Sequence, residues 1–415
     1  MTKLEHLNKI MNNSKKDVSQ YWTDEEIEKT DADINIVMSG KGTGKSYRIK
    51  KKLTARAYLG LGNFVVYRRF KSHVTDIKIK GYFADLVCNK FGENEIEKMT
   101  NGEFNRVYVR QQIVYFAKYE LITKNKKVDV DAYGKPIFEE VEEEVMTKGP
   151  EFCRFILVTE QGYDELAGQA WGIANNYNRY IFEEFESVSS NIRHLDSEPI
   201  LFMKINSTIF RDRTDVKGYL LCNRISRIKS PYFTQWGLQN VIKQKPGTIE
   251  IYKFREWSES LNAQLITKIA VESVKTTGVG DASKQFFGAA RKSVIGDEFD
   301  TRSNVPTLSD SFKNYITIYE LKLDYSVLSY SITLKVDPKS GVQFVFISPI
   351  TRTYRYIRRV ISDKFDLDPF HSNSFDRNIP AENTILDLIK RGKVCYSDDR
   401  TGTDVPEILK KILLL

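Results

Sequence analysis

The sequence predicts an α/β domain with a mainly parallel sheet, then a linker, then a smaller α+β domain. Three stretches carry that expectation. "DINIVMSGKGTGKSYRIKKKLTARAYLG" reads as strand, glycine loop and helix, ending at Gly60. "GNFVVYRRF" follows as a second apolar strand with a basic exit, a βαβ order that implies parallel pairing. Past residue 310 the texture changes: "NYITIYELKLDYSVLSYSITLKVDPKSGVQFVFISP" alternates apolar and polar residues around a "DPKSG" turn, the pattern of an antiparallel meander. The expected boundaries are 1–250 for the first domain, 251–300 for the linker and 301–415 for the last.

Between these anchors the elements follow in order. "FNRVYVRQQIVYFAKYELIT" reads as one or two strands, and the polar, acidic stretch over 122–150 as an excursion from the sheet, with Glu139–Glu144 a solvated face. "FCRFILVTE", "NRYIFEEFE" and "GYLLCN" read as further strands. "SLNAQLITKIAVESVK" reads as a helix, followed by a Gly-rich basic linker. "YRYIRRVISDKF" and "ENTILDLIKRG" read as C-terminal helices. There are no internal repeats.

With 415 residues, 41% of them hydrophobic and 28% charged, the chain is globular and has ample core material. The net charge of +8 permits a polyanionic partner without demanding one. Cys88, Cys153, Cys222 and Cys395 are scattered without a CxxC pair, so they read as reduced cytosolic thiols and not as a zinc site. The four histidines are equally dispersed. No segment approaches the apolar length of a membrane span, and the N-terminus lacks a signal-peptide core.

The glycine loop has little bulk and many backbone N–H groups, which suits a phosphate. Its spacing approaches G-x-x-x-x-G-K-[ST], with Ser39 in place of the first glycine and Gly40, Gly42 and Gly44 keeping it flexible. Gly40, Lys41, Gly42, Thr43, Gly44, Lys45 and Ser46 are therefore the candidate cofactor site for ATP with Mg²⁺. Amides at the helix start face the β-phosphate, Lys45 reaches the β/γ oxygens, and the Ser46 hydroxyl holds the metal. "NRYIFEEFE" ends an apolar run on two acids, the arrangement in which one carboxylate serves the metal and the next the attacking water. Glu183 takes the first role and Glu184 the second; the competing reading is a strand end with two solvated acids. Glutamate at the first position departs from the usual aspartate. Tyr21 and Trp22 read either as a base-stacking pair or as core. On the residues alone, Arg211 and Arg213 read better as surface arginines than as stabilisers of charge in a neighbouring subunit, Asn223 better as an ordinary cap than as a γ-phosphate sensor, and the Arg68, Arg69, Lys71 cluster as a basic loop.

The order of the pieces goes further. "NIVMSGKGTGKSYRIK", "NFVVYRRFKSHV", "YIFEEFESV" and "STIFRDRTDVKGYLLCNRISRIKSPYFTQWGL" together resemble the DNA-encapsidation ATPases of small short-tailed bacteriophages, over roughly residues 30–245. That resemblance implies a P-loop domain of the additional-strand class and a C-terminal domain similar to RNase H that has lost its nuclease residues. It implies ATP hydrolysis that drives double-stranded DNA into a procapsid, with the protein in the host cytoplasm at the portal vertex. The implied partners are duplex DNA, the portal or connector, and further copies of the chain in a ring, typically a pentamer; a structural RNA is a further candidate. By the same resemblance Arg211 falls on an arginine finger acting in trans, Asn223 on a sensing position and Lys71 on a pore-facing DNA contact. The resemblance to the C-terminal third is loose, and Glu320, Asp324 and Asp337 form no convincing nuclease set. A ring-forming P-loop helicase or remodeller is the alternative.

Overall fold

The computed structural model describes residues 2–12, 21–40, 42–89, 91–130, 136–166, 176–185, 197–211, 213–223, 230–259, 262–275, 305–308, 314–350, 359–362, 371–372 and 374–413. The chain forms two compact units. One holds residues 1–38, 42–223 and 249–279, the other residues 39–41, 224–248 and 280–415.

The first unit is built on a sheet of β1 (Ile34–Ser39), β2 (Asn63–Arg68), β3 (Arg106–Arg110), β4 (Ile113–Val130), β5 (Pro136–Leu157), β6 (Tyr177–Glu183), β7 (Lys217–Asn223), β8 (Thr248–Ser258) and β9 (Ala263–Ser273). The strand order is β3-β4-β5-β2-β6-β7-β1-β9-β8. β2 runs parallel to β5 and to β6, β6 parallel to β7, and β1 parallel to β9. β2 and β7 are buried along their whole middles, as expected where both faces of a parallel sheet are covered. β7 lies between the glycine-loop strand β1 and the acid strand β6, and so supplies an additional strand between them. The helices of this unit are α1 (Lys3–Asn12), α2 (Glu25–Glu28), α3 (Lys45–Tyr58), α4 (Asp76–Tyr82), α5 (Ala84–Val87), α6 (Glu95–Met99), α7 (Glu160–Leu166) and α8 (Glu198–Phe210). Ile49 and Leu53 of α3 enter the core with Phe64, Val66, Phe152 and Ile181.

The basic run after the glycine loop is internal. Lys51 pairs with Glu95 at 2.9 Å with both side chains buried, and Lys52 pairs with Asp24 and Glu28. The described part of the excursion over 122–150 belongs to the antiparallel β4–β5 hairpin, and Glu140, Glu142, Glu143 and Glu144 are exposed, with Glu143 meeting Lys124 at 2.9 Å.

The helix expected over "SLNAQLITKIAVESVK" is a strand. Its β-branched Ile266, Thr267, Ile269 and Val271 favour the pleated surface, and pairing of Ile269 to Ser273 with β1 buries Ile269, Ala270 and Val271 completely or nearly so. The linker placed at 251–300 is corrected for the same reason: β8 and β9 complete the first sheet, while 276–304 lie outside the described residues.

The second unit carries β10 (Ile316–Tyr325), β11 (Leu328–Val336), β12 (Gln343–Pro349), β13 (Val360–Ser362), β14 (His371–Ser372) and β15 (Val394–Tyr396), in the order β14-β13-β10-β11-β12-β15. β10, β11 and β12 form the expected antiparallel meander. β13 is parallel to β10, β14 to β13, and β15 to β12. Helices α9 (Pro231–Gln235), α10 (Pro380–Lys390) and α11 (Asp399–Leu413) complete the unit. Leu321, Ile332 and Ile347 of the sheet cluster with Ile385 of α10 and with Val405 and Ile408 of α11. The "SPYF" stretch is a capped helix start: the Ser230 hydroxyl accepts from the Phe233 amide at 3.1 Å. Of the helix expected over "YRYIRRVISDKF", 359–362 are described and 360–362 form strand β13; Arg352, Arg355 and Arg358 lie outside the described residues.

Candidate active site

β1 delivers the glycine loop. Gly42 has φ 83° and Gly44 φ 81°, left-handed values that a side chain would strain. A Cβ on Gly44 would meet the Tyr21 ring at 3.0 Å, whereas the space beside Gly42 is open to at least 4 Å, which leaves room for a ligand. Gly44 caps α3, so the amides of its first turn have no intrahelical partner and suit an anion. The Thr43 carbonyl accepts from the Trp22 amide at 3.0 Å, tying the loop to the preceding segment. The Gly40 carbonyl accepts from the Ser39 hydroxyl at 2.9 Å, and Lys41 lies outside the described residues. Trp22 is core, with Nε1 donating to Glu272 at 2.9 Å.

Lys45, buried at the start of α3, donates from Nζ to Asn223 Oδ1 at 3.0 Å. That bond brings the loop lysine and the end of β7 together. The Ser46 hydroxyl, in the same first turn, makes no hydrogen bond among the described residues.

Glu183 and Glu184 stand at the end of β6 in contrasting settings. Glu183 Oε2 accepts from Arg68 Nη2 at 2.7 Å and Oε1 from the Tyr82 hydroxyl at 3.0 Å. Burial pushes this carboxyl up, but Arg68 and Lys50 outweigh it and hold it below its ordinary value. Burial, helped by Glu183, pushes the Tyr82 hydroxyl well above its ordinary value, so it stays a donor. Glu184 is exposed; its carboxylate makes no hydrogen bond or salt bridge among the described residues, and its charge acts on Arg68. Its backbone sits at φ 52°, a left-handed conformation that costs a non-glycine residue on the order of 1 kcal/mol, and its amide donates to the Leu221 carbonyl of β7 at 2.7 Å. The backbone of Glu184 is thus tied to β7, the strand that ends at Asn223.

Arg69 follows β2 and reaches the same loop. It donates to the carbonyls of Glu184 and Phe185, and it grips Glu198 through Nε at 2.9 Å and Nη2 at 2.6 Å. Glu198, only 1% exposed, opens α8. Arg211 caps the other end of α8, exposed, at φ 47°. Arg213 forks onto Asp215 at 2.7 and 2.8 Å. Lys71 is exposed in a short 3-10 turn, Lys71–His73, just past Arg69.

The structure therefore gathers Lys45, Asn223, Glu183 and Glu184 at neighbouring strand ends, and sets Arg211 and Lys71 at exposed positions on elements joined to that edge. Sequence reasoning read Arg68 and Arg69 only as part of a basic loop, and missed Tyr82 and Glu198. The tandem arginines of "YRRF" at a strand exit were the available signal; Tyr82 and Glu198 carried none, because their partners come from more than 100 residues away.

A neighbour of the site gives a pH signature. Burial lifts the Glu272 carboxyl to about 7, against the opposing hydrogen bond from Trp22. Its folded value lies above the unfolded one, so the fold binds the extra proton and loses stability as pH rises from about 4.5 towards 7. Glu272→Gln should melt higher than the wild type at pH 8 and lose that advantage at pH 4.5; an equal difference at both would contradict the assignment.

No family model and no curated protein matches the chain. Among solved structures, it is similar to the bacteriophage Phi-29 viral genome packaging motor assembly, at 14% identity and TM-score 0.47 over 95% of this chain and 99% of that one. It is also similar to the Phi-28 gp11 DNA packaging motor, at 15% identity and TM-score 0.41 over 94% and 98%. A further likeness is to the N-terminal domain of the DNA packaging ATPase from bacteriophage phi29, at 17% identity and TM-score 0.39 over 62% and 97%. At these values the functional reading rests on the site itself.

Proposed function

We propose that the chain is an ATP-driven motor that moves double-stranded DNA into a viral procapsid through its portal. The observation that carries the ATPase half is the bond from Lys45 Nζ to Asn223 Oδ1. It joins the loop that would cradle the β/γ-phosphates to the strand beside Glu184. An ammonium has three donors, so Lys45 can hold Asn223 and a phosphate oxygen together, and loss of the γ-phosphate is then felt at the end of β7. Glu184 takes the proton of the attacking water. The DNA half rests on the sequence resemblance, whose motifs from the first unit meet at one sheet edge.

The fit to Mg²⁺ is mixed. The Ser46 hydroxyl would hold the ion, which would supply neutralisation of charge developing on the phosphates. Both Glu183 oxygens are engaged by Arg68 and Tyr82, which disfavours it as a direct ligand. Arg211 acts in trans within a homo-oligomeric ring, proposed as a pentamer, and the portal and a structural RNA are the further partners proposed. None of the described helices is long and apolar enough to cross a membrane. The second unit is proposed as an RNase H-like domain without cleavage activity. Glu320 and Asp324 accept hydrogen bonds from Ser331 and Ser329, and no group of three His, Cys, Asp or Glu able to hold a metal occurs among the described residues.

Lys71 is proposed to meet the phosphate backbone. Lys71→Ala should weaken duplex binding equally on all sequences and reduce the salt slope by about one. A sequence-selective loss would contradict that role. The test of the function is ATP turnover with and without intact duplex: stimulation by duplex supports it, and turnover indifferent to DNA refutes it.

A further inference from the structure

We propose that Arg69 is a positioning residue that sets the backbone of Glu184 and fastens it to the helix carrying Arg211. This rests on the ATPase reading above and deepens it. The Arg69 side chain is 10% exposed and its guanidinium spans two elements. Nη1 donates to the carbonyl of Glu184 and Nη2 to that of Phe185, while Nε and Nη2 hold the oxygens of Glu198 at 2.6 to 3.0 Å. The guanidinium carbon also stands 4.9 Å from the centre of the Phe182 ring, on the strand that ends at Glu183.

These contacts answer a specific need. Glu184 is held in a left-handed conformation with no hydrogen bond from its side chain among the described residues, so its backbone must be fixed from outside. The Leu221 carbonyl fixes the amide side and Arg69 fixes the carbonyl side. Glu198 lies in the first turn of α8 and Arg211 at its end, so one guanidinium ties the acid that works within the subunit to the arginine that works on the next. Lys71 lies two residues after Arg69, which puts the proposed DNA contact on the same short segment. Lysine cannot replace this guanidinium, because a single ammonium has no planar fork to hold a carboxylate bidentately while donating to two carbonyls.

The experiment uses the full chain with Arg69→Lys, which keeps the buried charge, and Arg69→Ala as a second variant. Arg69→Lys should fold, keep its KM for ATP within about threefold, and lose kcat by at least about tenfold, because a displaced Glu184 harms the reacting geometry more than nucleotide binding. Hydrogen exchange gives a readout independent of hydrolysis: the Glu184 amide should exchange at least about tenfold faster in the variant, while the amides of Tyr180 to Phe182 keep their protection. Unchanged kcat and unchanged protection at Glu184 in Arg69→Lys would overturn the proposal, as would uniform loss of protection along β6. Arg69→Ala should show the same kcat loss in its folded fraction; full turnover there would equally overturn it. If the wild type hydrolyses no ATP, the function fails, while the exchange pattern still decides the role of Arg69.

Discussion

Arg211→Ala should bind ATP normally and lose DNA-stimulated hydrolysis by on the order of 10³-fold, the effect of removing an arginine finger supplied in trans. The exposed cap position of Arg211 at the end of α8 supports the role. Glu184→Gln should be inactive for a different reason, because an amide cannot take the water's proton. The two dead proteins give a strong test when mixed. Where a Glu184→Gln subunit lends Arg211 to an Arg211→Ala subunit, one complete site forms, and some hydrolysis should return. If mixed rings assemble and no ratio restores turnover, Arg211 acts within its own subunit or is structural, and Arg213 becomes the next candidate.

Lys45→Ala should lower hydrolysis by at least on the order of 10²–10³-fold, since the lost charge is aimed where negative charge develops on the phosphoryl group. The variant also severs the link to Asn223, so the end of β7 should no longer respond to nucleotide. Single-turnover hydrolysis and the nucleotide dependence of exchange in residues 217–223 check the two effects. Near-normal turnover would remove the glycine loop from the site, and a retained nucleotide response at β7 would remove Asn223 as a sensor.

Much of this edge was legible because local chemistry announces it. The glycines and the lysine opening α3 are written within a few residues of one another, and the two acids directly end an apolar run. The strands of the parallel core were legible from continuous apolar runs. β9 was not, since "QLITKIAVES" has both helical spacing and β-branched residues, and only its pairing with β1 decides between them. The different fates of Glu183 and Glu184 were also illegible. They depend on Arg68, Tyr82 and Leu221, which arrive from β2, α4 and β7. The basic run of α3 is spent on buried carboxylates such as Glu95, whose approach is set by tertiary packing.

The central claim is movement along intact duplex. The most direct test is displacement of a third strand bound to a DNA duplex, measured with ATP and with a non-hydrolysable analogue while pairing of the duplex is followed by fluorescence. The account predicts third-strand release that requires ATP hydrolysis and is lost in Glu184→Gln, with the duplex still paired. ATP-dependent separation of the duplex strands would contradict it and favour a helicase, and ATP hydrolysis without any third-strand release would remove translocation altogether.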